Sequence, residues 1–294
     1  MRPILTYEQQ YLIILRNIRK YGYRQLNTRT GYDTLRIPHE VIQVDLQEEF
    51  PILQCKEVLW KSAMEEILWI MQKQSNNIKD LKPHIWDKWA DDSGSIGKAY
   101  GYQYGKPVIT PEGERYDSQV HYVLDRLVKN SSDRRAVLCA WDVEDMHDMH
   151  LVPCVYTSVW TLIDDQLNCL LTQRSADFLV GVPFNTTQYA ILTHLFARHL
   201  GVAPGLLTHV MADCHVYCCE SHLNGMETML RRGDYLNGHN MDDTEECFAA
   251  SEIASHDPSF KISSPHTEFW KIDPKDCEII NYSHFGHIPL EVVE

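Results

Sequence analysis

Two strand-like runs, 155–162 (VYTSVWTL) and 166–173 (QLNCLLTQ), are joined by so short a link that they can pair only as neighbours. Asp164-Asp165 between them is a turn signal, and the pair reads as an antiparallel hairpin. Such a hairpin sets whatever precedes its first strand beside whatever follows its second. Those residues are Cys154, behind Pro153, and Arg174, inside the dense run QRSADFLVGVPFN at 173–185. The run holds an arginine, a serine, an acid, a Gly-x-Pro turn and an asparagine. A thiol able to attack, a cation able to favour its thiolate and an amide able to read a planar heterocycle are what nucleophilic chemistry on a pyrimidine needs.

Around this hairpin the hydrophobic spacing predicts helices and further strands. In residues 5–21, Leu5, Tyr11, Ile14, Leu15 and Ile18 recur at helical spacing, and in 59–73 Trp60, Ala63, Met64, Ile67, Leu68 and Met71 share a face. A third helix fits 119–129, and a fourth runs from about Thr186 to His199, stopped by Gly201. Strands are expected at 135–141 and 207–217 as well. Helices with largely antiparallel strands point to an α+β fold. No repeat or linker divides the chain, so residues 1–294 read as a single domain. The acidic, poorly patterned stretch 233–258 reads as a surface insertion without catalytic content.

Composition narrows the function classes. The net charge of −14 argues against a broad basic face for DNA or other nucleic acid, and makes each local arginine cluster more informative. The amino-terminal residues show no signal peptide, and no apolar run is long enough to cross a bilayer, so no membrane partner is expected. Nine cysteines without regular spacing suit a reducing compartment, and a cytoplasmic location is expected. DCHVYCCESH (213–222) contains three cysteines and two histidines, but Cys214, Cys218 and Cys219 match no paired-ligand spacing, and no metal is expected.

A cysteine is usually a small buried hydrophobe, and that reading holds for Cys55, Cys139, Cys169 and Cys277. Cys154 differs in its preceding proline and in its place between strands. Arg29 in NTRTGYDT, Arg134-Arg135 in SSDRRAVLCAW and Arg174 each lie near Ser, Thr or Gly, a combination that suits a phosphate. Local sequence favours Asn185 as a helix N-cap; as a ligand its amide matches the N3–H and O4 edge of uracil. Glu66, at the border of an apolar stripe, is a candidate for a raised pKa and proton relay. His215 and Tyr217, two apart on a strand, would face one side and could touch a ribose.

Together these segments resemble the thymidylate synthase family, and the likeness covers nearly the whole chain. The matching blocks are RTG (29–31), EEILW (65–69), HIWDKWAD (84–91), AYG (99–101), DRRAVLCAW (133–141), PC (153–154), QRSADFLVGVPFN (173–185) and DCHVY (213–217). The resemblance implies a sheet-mediated homodimer that reductively methylates dUMP to dTMP, with 5,10-methylenetetrahydrofolate as carbon and hydride donor and dihydrofolate as product. Cys154 would add to C6 of the base, with Tyr100 in the position implicated in proton removal from C5. Arg29, Arg174 and Ser175 would hold the phosphate, with Arg134 and Arg135 reaching in from the partner subunit. Asn185 would read the base, His215 and Tyr217 the sugar, and Glu66 would organise proton transfers; Ala176 would border the nucleotide. Asp177, Trp86 and the tail near Val293 would contact folate, and residues 283–294 would form a mobile carboxy-terminal segment.

Four departures from the family pattern stand out. Val155 follows the nucleophile where histidine is usual, although a branch of the family has valine. QCK (54–56) replaces TTK, leaving Lys56; Ala212 replaces a glycine; and Glu294 ends the chain where a small apolar residue is usual. A charged end that admits water would suit a dUMP 5-hydroxymethylase, the related alternative in which water captures the exocyclic methylene. A non-catalytic binding homologue is a third reading, but it would be expected to have lost the thiol or the arginines.

Overall fold

The computed structural model describes residues 5–82, 84–238 and 245–293. Thr6 caps the first helix, α1 (Tyr7–Tyr21), in a reciprocal box with Gln9, leaving Leu5 outside it and exposed. Tyr7, Tyr11, Leu12, Ile14, Leu15 and Ile18 turn inward, the stripe that a 3.6-residue period produces. Then come β1 (Tyr23–Leu26), β2 (Asp33–Asp45), α2 (Trp60–Met71) and the short α3 (Tyr100–Tyr104). β3 (Val108–Ile109) and β4 (Arg115–Tyr116) form a small hairpin, followed by α4 (Gln119–Lys129), β5 (Val137–Cys139), β6 (Val155–Ile163), β7 (Gln166–Gln173) and β8 (Ala176–Asp177). The order closes with α5 (Gly181–Leu200), β9 (Ala203–Tyr217), α6 (Glu220–Leu236), α7 (Glu245–Ala254), β10 (Ser259–Ile262) and β11 (Cys277–Ile280).

A seven-stranded mixed sheet organises these elements in the order β1-β2-β9-β7-β6-β5, with β8 also paired to β9. β2 lies antiparallel to β9 from Thr34↔Tyr217 to Asp45↔Leu206. β7 runs parallel to β9, from Gln166↔Ala203 to Gln173↔Met211. A parallel pair cannot be closed by a tight turn. The connection is α5, buried on nearly every side through Ala190, Ile191, Leu192, Leu195 and Phe196. The fold is α+β, as expected.

The β6–β7 hairpin forms where the sequence placed it. Asp164 and Asp165 both adopt φ of 54°, the left-handed pair that a two-residue I′ turn requires. Elsewhere the boundaries shift. α5 starts at Gly181 rather than near Thr186, because Pro183 falls in its first turn, where a missing N–H breaks no helical bond. Asn185 is therefore inside the helix and is not its N-cap. β9 begins earlier than expected, at Ala203, and β5 is confined to Val137–Cys139.

Of the stretch 233–258, residues 239–244 lie outside the described residues, and the described parts are helical and packed where the composition suggested a surface loop. Gly233 belongs to α6, where a Cβ would stand 2.3 Å from Leu12 Cδ1, so α1 and α6 pack with no room for a side chain. Further on, Ala250 and Ile253 of α7 are buried. Among the described residues no helix is long and apolar enough to cross a membrane.

Gly101 is where fold and site meet. A Cβ there would lie 2.0 Å from the carbonyl oxygen of Ser75, so α3 rests directly on the backbone after α2. Gly101→Ala should cost roughly 1–3 kcal/mol, as overpacking of a fitted contact does. The check is the thermal midpoint of the variant; one equal to wild type would show that α3 moves off Ser75 freely.

Candidate active site

The hairpin brings Cys154 and Arg174 together. Cys154 immediately precedes β6 and Arg174 immediately follows β7, and the Arg174 amide donates to the Cys154 carbonyl at 2.9 Å. The Arg174 side chain turns back on the same loop. Its Nε donates to Pro153 O at 2.9 Å and its Nη2 to Val152 O at 2.8 Å, with the guanidinium 5.6 Å from the Trp141 ring centre. The Cys154 amide donates to Tyr100 Oη at 2.8 Å, which fixes α3 against the thiol's own backbone.

Cys154 opens onto a cavity of about 540 Å³, a size that accommodates a small ligand. Arg29, Glu66, Trp86, Tyr100, Ser175, Asp177, Asn185, His215, Tyr217 and Val293 also line it. Of the residues singled out in the sequence, Arg134, Arg135, Arg174 and Ala176 do not. Arg134 and Arg135 are exposed, and Arg135 pairs with Asp133 and Glu112. Ala176 is buried in β8, opposite Cys214.

Burial governs the titration of this site. It pushes the Cys154 thiol up, and the nearby charges of Arg174 and Arg29 only partly offset it. Arg174 pulls the thiol pKa down, as its place beside Cys154 led us to expect, but desolvation of the anion outweighs it. Glu66 is 8% exposed. Its Oε1 accepts from Trp86 Nε1 at 2.6 Å and its Oε2 from Gln188 Nε2 at 2.7 Å. Burial nevertheless raises its pKa to about 7 against the pull of both donors. His215 is held below its usual range by burial, with Asp177 opposing.

Asp177 Oδ1 accepts from the amides of Leu179 and Val180 at 3.1 and 3.3 Å, steadying the approach to α5. His215 and Tyr217 share one side of β9, their rings edge to face at 5.2 Å. The carboxy-terminal segment contributes Ile288, Leu290, Val292 and Val293 to the cavity wall, and His222 Nε2 donates to the carbonyl of Glu291 at 2.7 Å. Glu294 lies outside the described residues. Among the described residues no group of His, Cys, Asp or Glu side chains could hold a metal ion.

Among the lining residues that sequence reasoning missed, two make polar contacts that shape the site. Gln188 joins Asn185 to Glu66; its only signal was a position one turn beyond Asn185. Lys56, noted only as a remnant of an altered motif, is buried with its Nζ donating to Leu179 O at 2.7 Å.

With this arrangement in view, likeness to known proteins becomes informative. The family model described as thymidylate synthase matches residues 9–294. A thymidylate synthase of Clostridium beijerinckii is 36% identical over 290 residues, covering 97% of this chain and 98% of that protein. One from Bacillus licheniformis is 33% identical over 298 residues, with the same coverage. The solved structure of thermostable thymidylate synthase A from Bacillus subtilis superposes with a TM-score of 0.82 at 30% identity, covering 99% of this chain and 100% of that one. A family model matched over residues 9–294 and a fold matched from end to end place this chain in the thymidylate synthase family of folate-dependent methyltransferases.

Proposed function

We propose that this enzyme converts dUMP to dTMP through a covalent bond between Cys154 Sγ and C6 of the base. The observation that carries the reading is one cavity in which Cys154, Tyr100, Glu66, Asn185, His215 and Tyr217 all meet. Methylenetetrahydrofolate is to supply both the carbon and the hydride. An apolar wall with Trp86, and the tail residues up to Val293, offers a flat pterin a place to stack beside the nucleotide.

The protein's own groups divide the work. Addition of sulfur at C6 makes C5 a nucleophile, and the thiol gives up its proton as the C–S bond forms. Tyr100, whose Oη already accepts from the Cys154 amide, sits where a proton leaving C5 can be relayed. Glu66, near neutrality in pKa, exchanges protons with the base edge through its surroundings. Arg29 and Ser175 hold the phosphate from within this chain. Arg174 braces the nucleophile's loop and adds charge to the phosphate pocket, and Arg134 and Arg135, exposed at the β5 end, serve a partner's pocket in a homodimer. Asp177 and Trp86 border the folate. Residues 1–294 act as one catalytic domain, in the cytoplasm.

Cys154→Ala should lower turnover by at least about 10⁴-fold, as loss of a nucleophile does, while dUMP still binds. In wild type, dihydrofolate formation is followed by absorbance and the nucleotide is weighed by mass spectrometry. Dihydrofolate with a methylated base supports the synthase, whereas tetrahydrofolate with a hydroxymethylated base would make the enzyme a hydroxymethylase.

The pH profile gives a second test. The folded pKa of Glu66 is raised, so its carboxylate is populated above about pH 7 and lost below it. kcat/KM should therefore fall as pH drops through that value. Glu66→Gln should remove this limb and cost roughly 10²–10⁴ in rate. A limb that survives the substitution would assign the titration to another group.

A further inference from the structure

An asparagine amide has no intrinsic preference between uracil and cytosine. It offers one acceptor and one donor face, and a half-turn about its last bond exchanges them. What breaks the tie here is Gln188, one turn along α5 and 3% exposed.

Gln188 Nε2 lies 3.3 Å from the carbonyl oxygen of Ala63 and 2.7 Å from Glu66 Oε2. A backbone carbonyl only accepts, so the atom facing Ala63 must be the NH₂, whatever the protonation of Glu66. That turns Gln188 Oε1 toward Asn185, where it accepts from Nδ2 at 3.1 Å. An amide oxygen cannot donate, so the Asn185 nitrogen must face Gln188. Flipping Asn185 would set two oxygens against each other and leave the Oε1 of the buried Gln188 without its donor, which is costly. Asn185 is left with Oδ1 and its second Nδ2–H for the cavity it lines.

We infer that Gln188 is the specificity-determining positioning residue of the base site: anchored on the Ala63 carbonyl, it locks the Asn185 amide to accept from a ring N3–H and donate to a 4-oxo group, so the cavity takes uracil nucleotides and refuses the 4-amino, N3-acceptor edge of cytosine. The inference rests on the nucleotide reading of this cavity. Nothing in the ligand enforces the choice. The backbone of α2 does, passed through one side chain on α5.

The test measures dissociation constants of dUMP and dCMP by calorimetry, without folate, for wild type, Gln188→Met and Gln188→Glu, with a melting curve for each. Met keeps the length and removes the acceptor, so the preference for dUMP over dCMP should fall roughly tenfold or more. Glu, protonated between Ala63 and Glu66, still presents an oxygen to Asn185 and should keep the preference. A Met variant that discriminates like wild type, or a Glu variant that loses discrimination as far as Met does, overturns the inference while dUMP binding by wild type stands. Wild type that binds neither nucleotide overturns the nucleotide reading itself, and this inference with it.

Discussion

Two parallel pairings, of β7 and of the short β8 with β9, in an otherwise antiparallel sheet determine where the site residues lie. Because β7 and β9 run side by side in the same direction, the chain between them must cross a face of the sheet, and α5 does so. The carboxyl ends of β7, β8 and β9 consequently meet the amino end of α5 at one edge. Ser175, Asp177, Asn185, His215 and Tyr217 stand there for that reason. β6 runs antiparallel to β7, so its beginning reaches the same edge and delivers Cys154. Residues distant in the chain converge because strand direction leaves them no other arrangement.

A buried polar framework then holds that edge in place. His209, fully buried on β9, lies 3.0 Å from Thr186 Oγ1 on α5 through Nδ1 and 2.8 Å from Gln173 Oε1 through Nε2. Gln173 Nε2 in turn donates to Ser175 O at 2.9 Å. That commitment leaves the Gln173 oxygen facing His209, whose Nε2 must carry the hydrogen. Burial pushes the imidazole down to about 3, so it stays neutral and keeps this orientation across the physiological range. The backbone at Ser175 is thereby tied to α5 through uncharged groups, at less desolvation cost than an ion pair would carry.

Much of this was legible in the chain. The turn at Asp164-Asp165, the inward stripe of α1 and the apolar face of α2 are local patterns, and they appear where spacing put them. The meeting of Cys154 with Arg174 followed from hairpin geometry alone. Asn185 was misread as a cap because Gly181 and Pro183 look like a loop, yet both are tolerated in a first helical turn. Gln188 could not be recognised, since its meaning lies in Ala63 and Glu66 on another helix. Within 233–258, the packing of Gly233 against Leu12 and of Ile253 in the interior was not legible, because it depends on partners far away in sequence.

The arginine beside the nucleophile illustrates how placement changes the chemistry a residue does. Arg174 directs two N–H groups at the carbonyls of Val152 and Pro153, so its charge is fastened to the loop that carries Cys154. Even so, the thiol is held above its usual pKa, since removing a thiolate from water costs more than the neighbouring cations return. In the proposed reaction the sulfur becomes reactive only when an electron-poor ring carbon lies against it and its proton departs during attack. The same burial raises Glu66 to about 7, leaving a carboxyl in the cavity that can take or return a proton at neutral pH with little driving force either way. Desolvation thus acts on both groups at once: it raises the thiol above its ordinary range and brings the Glu66 carboxyl to near neutrality.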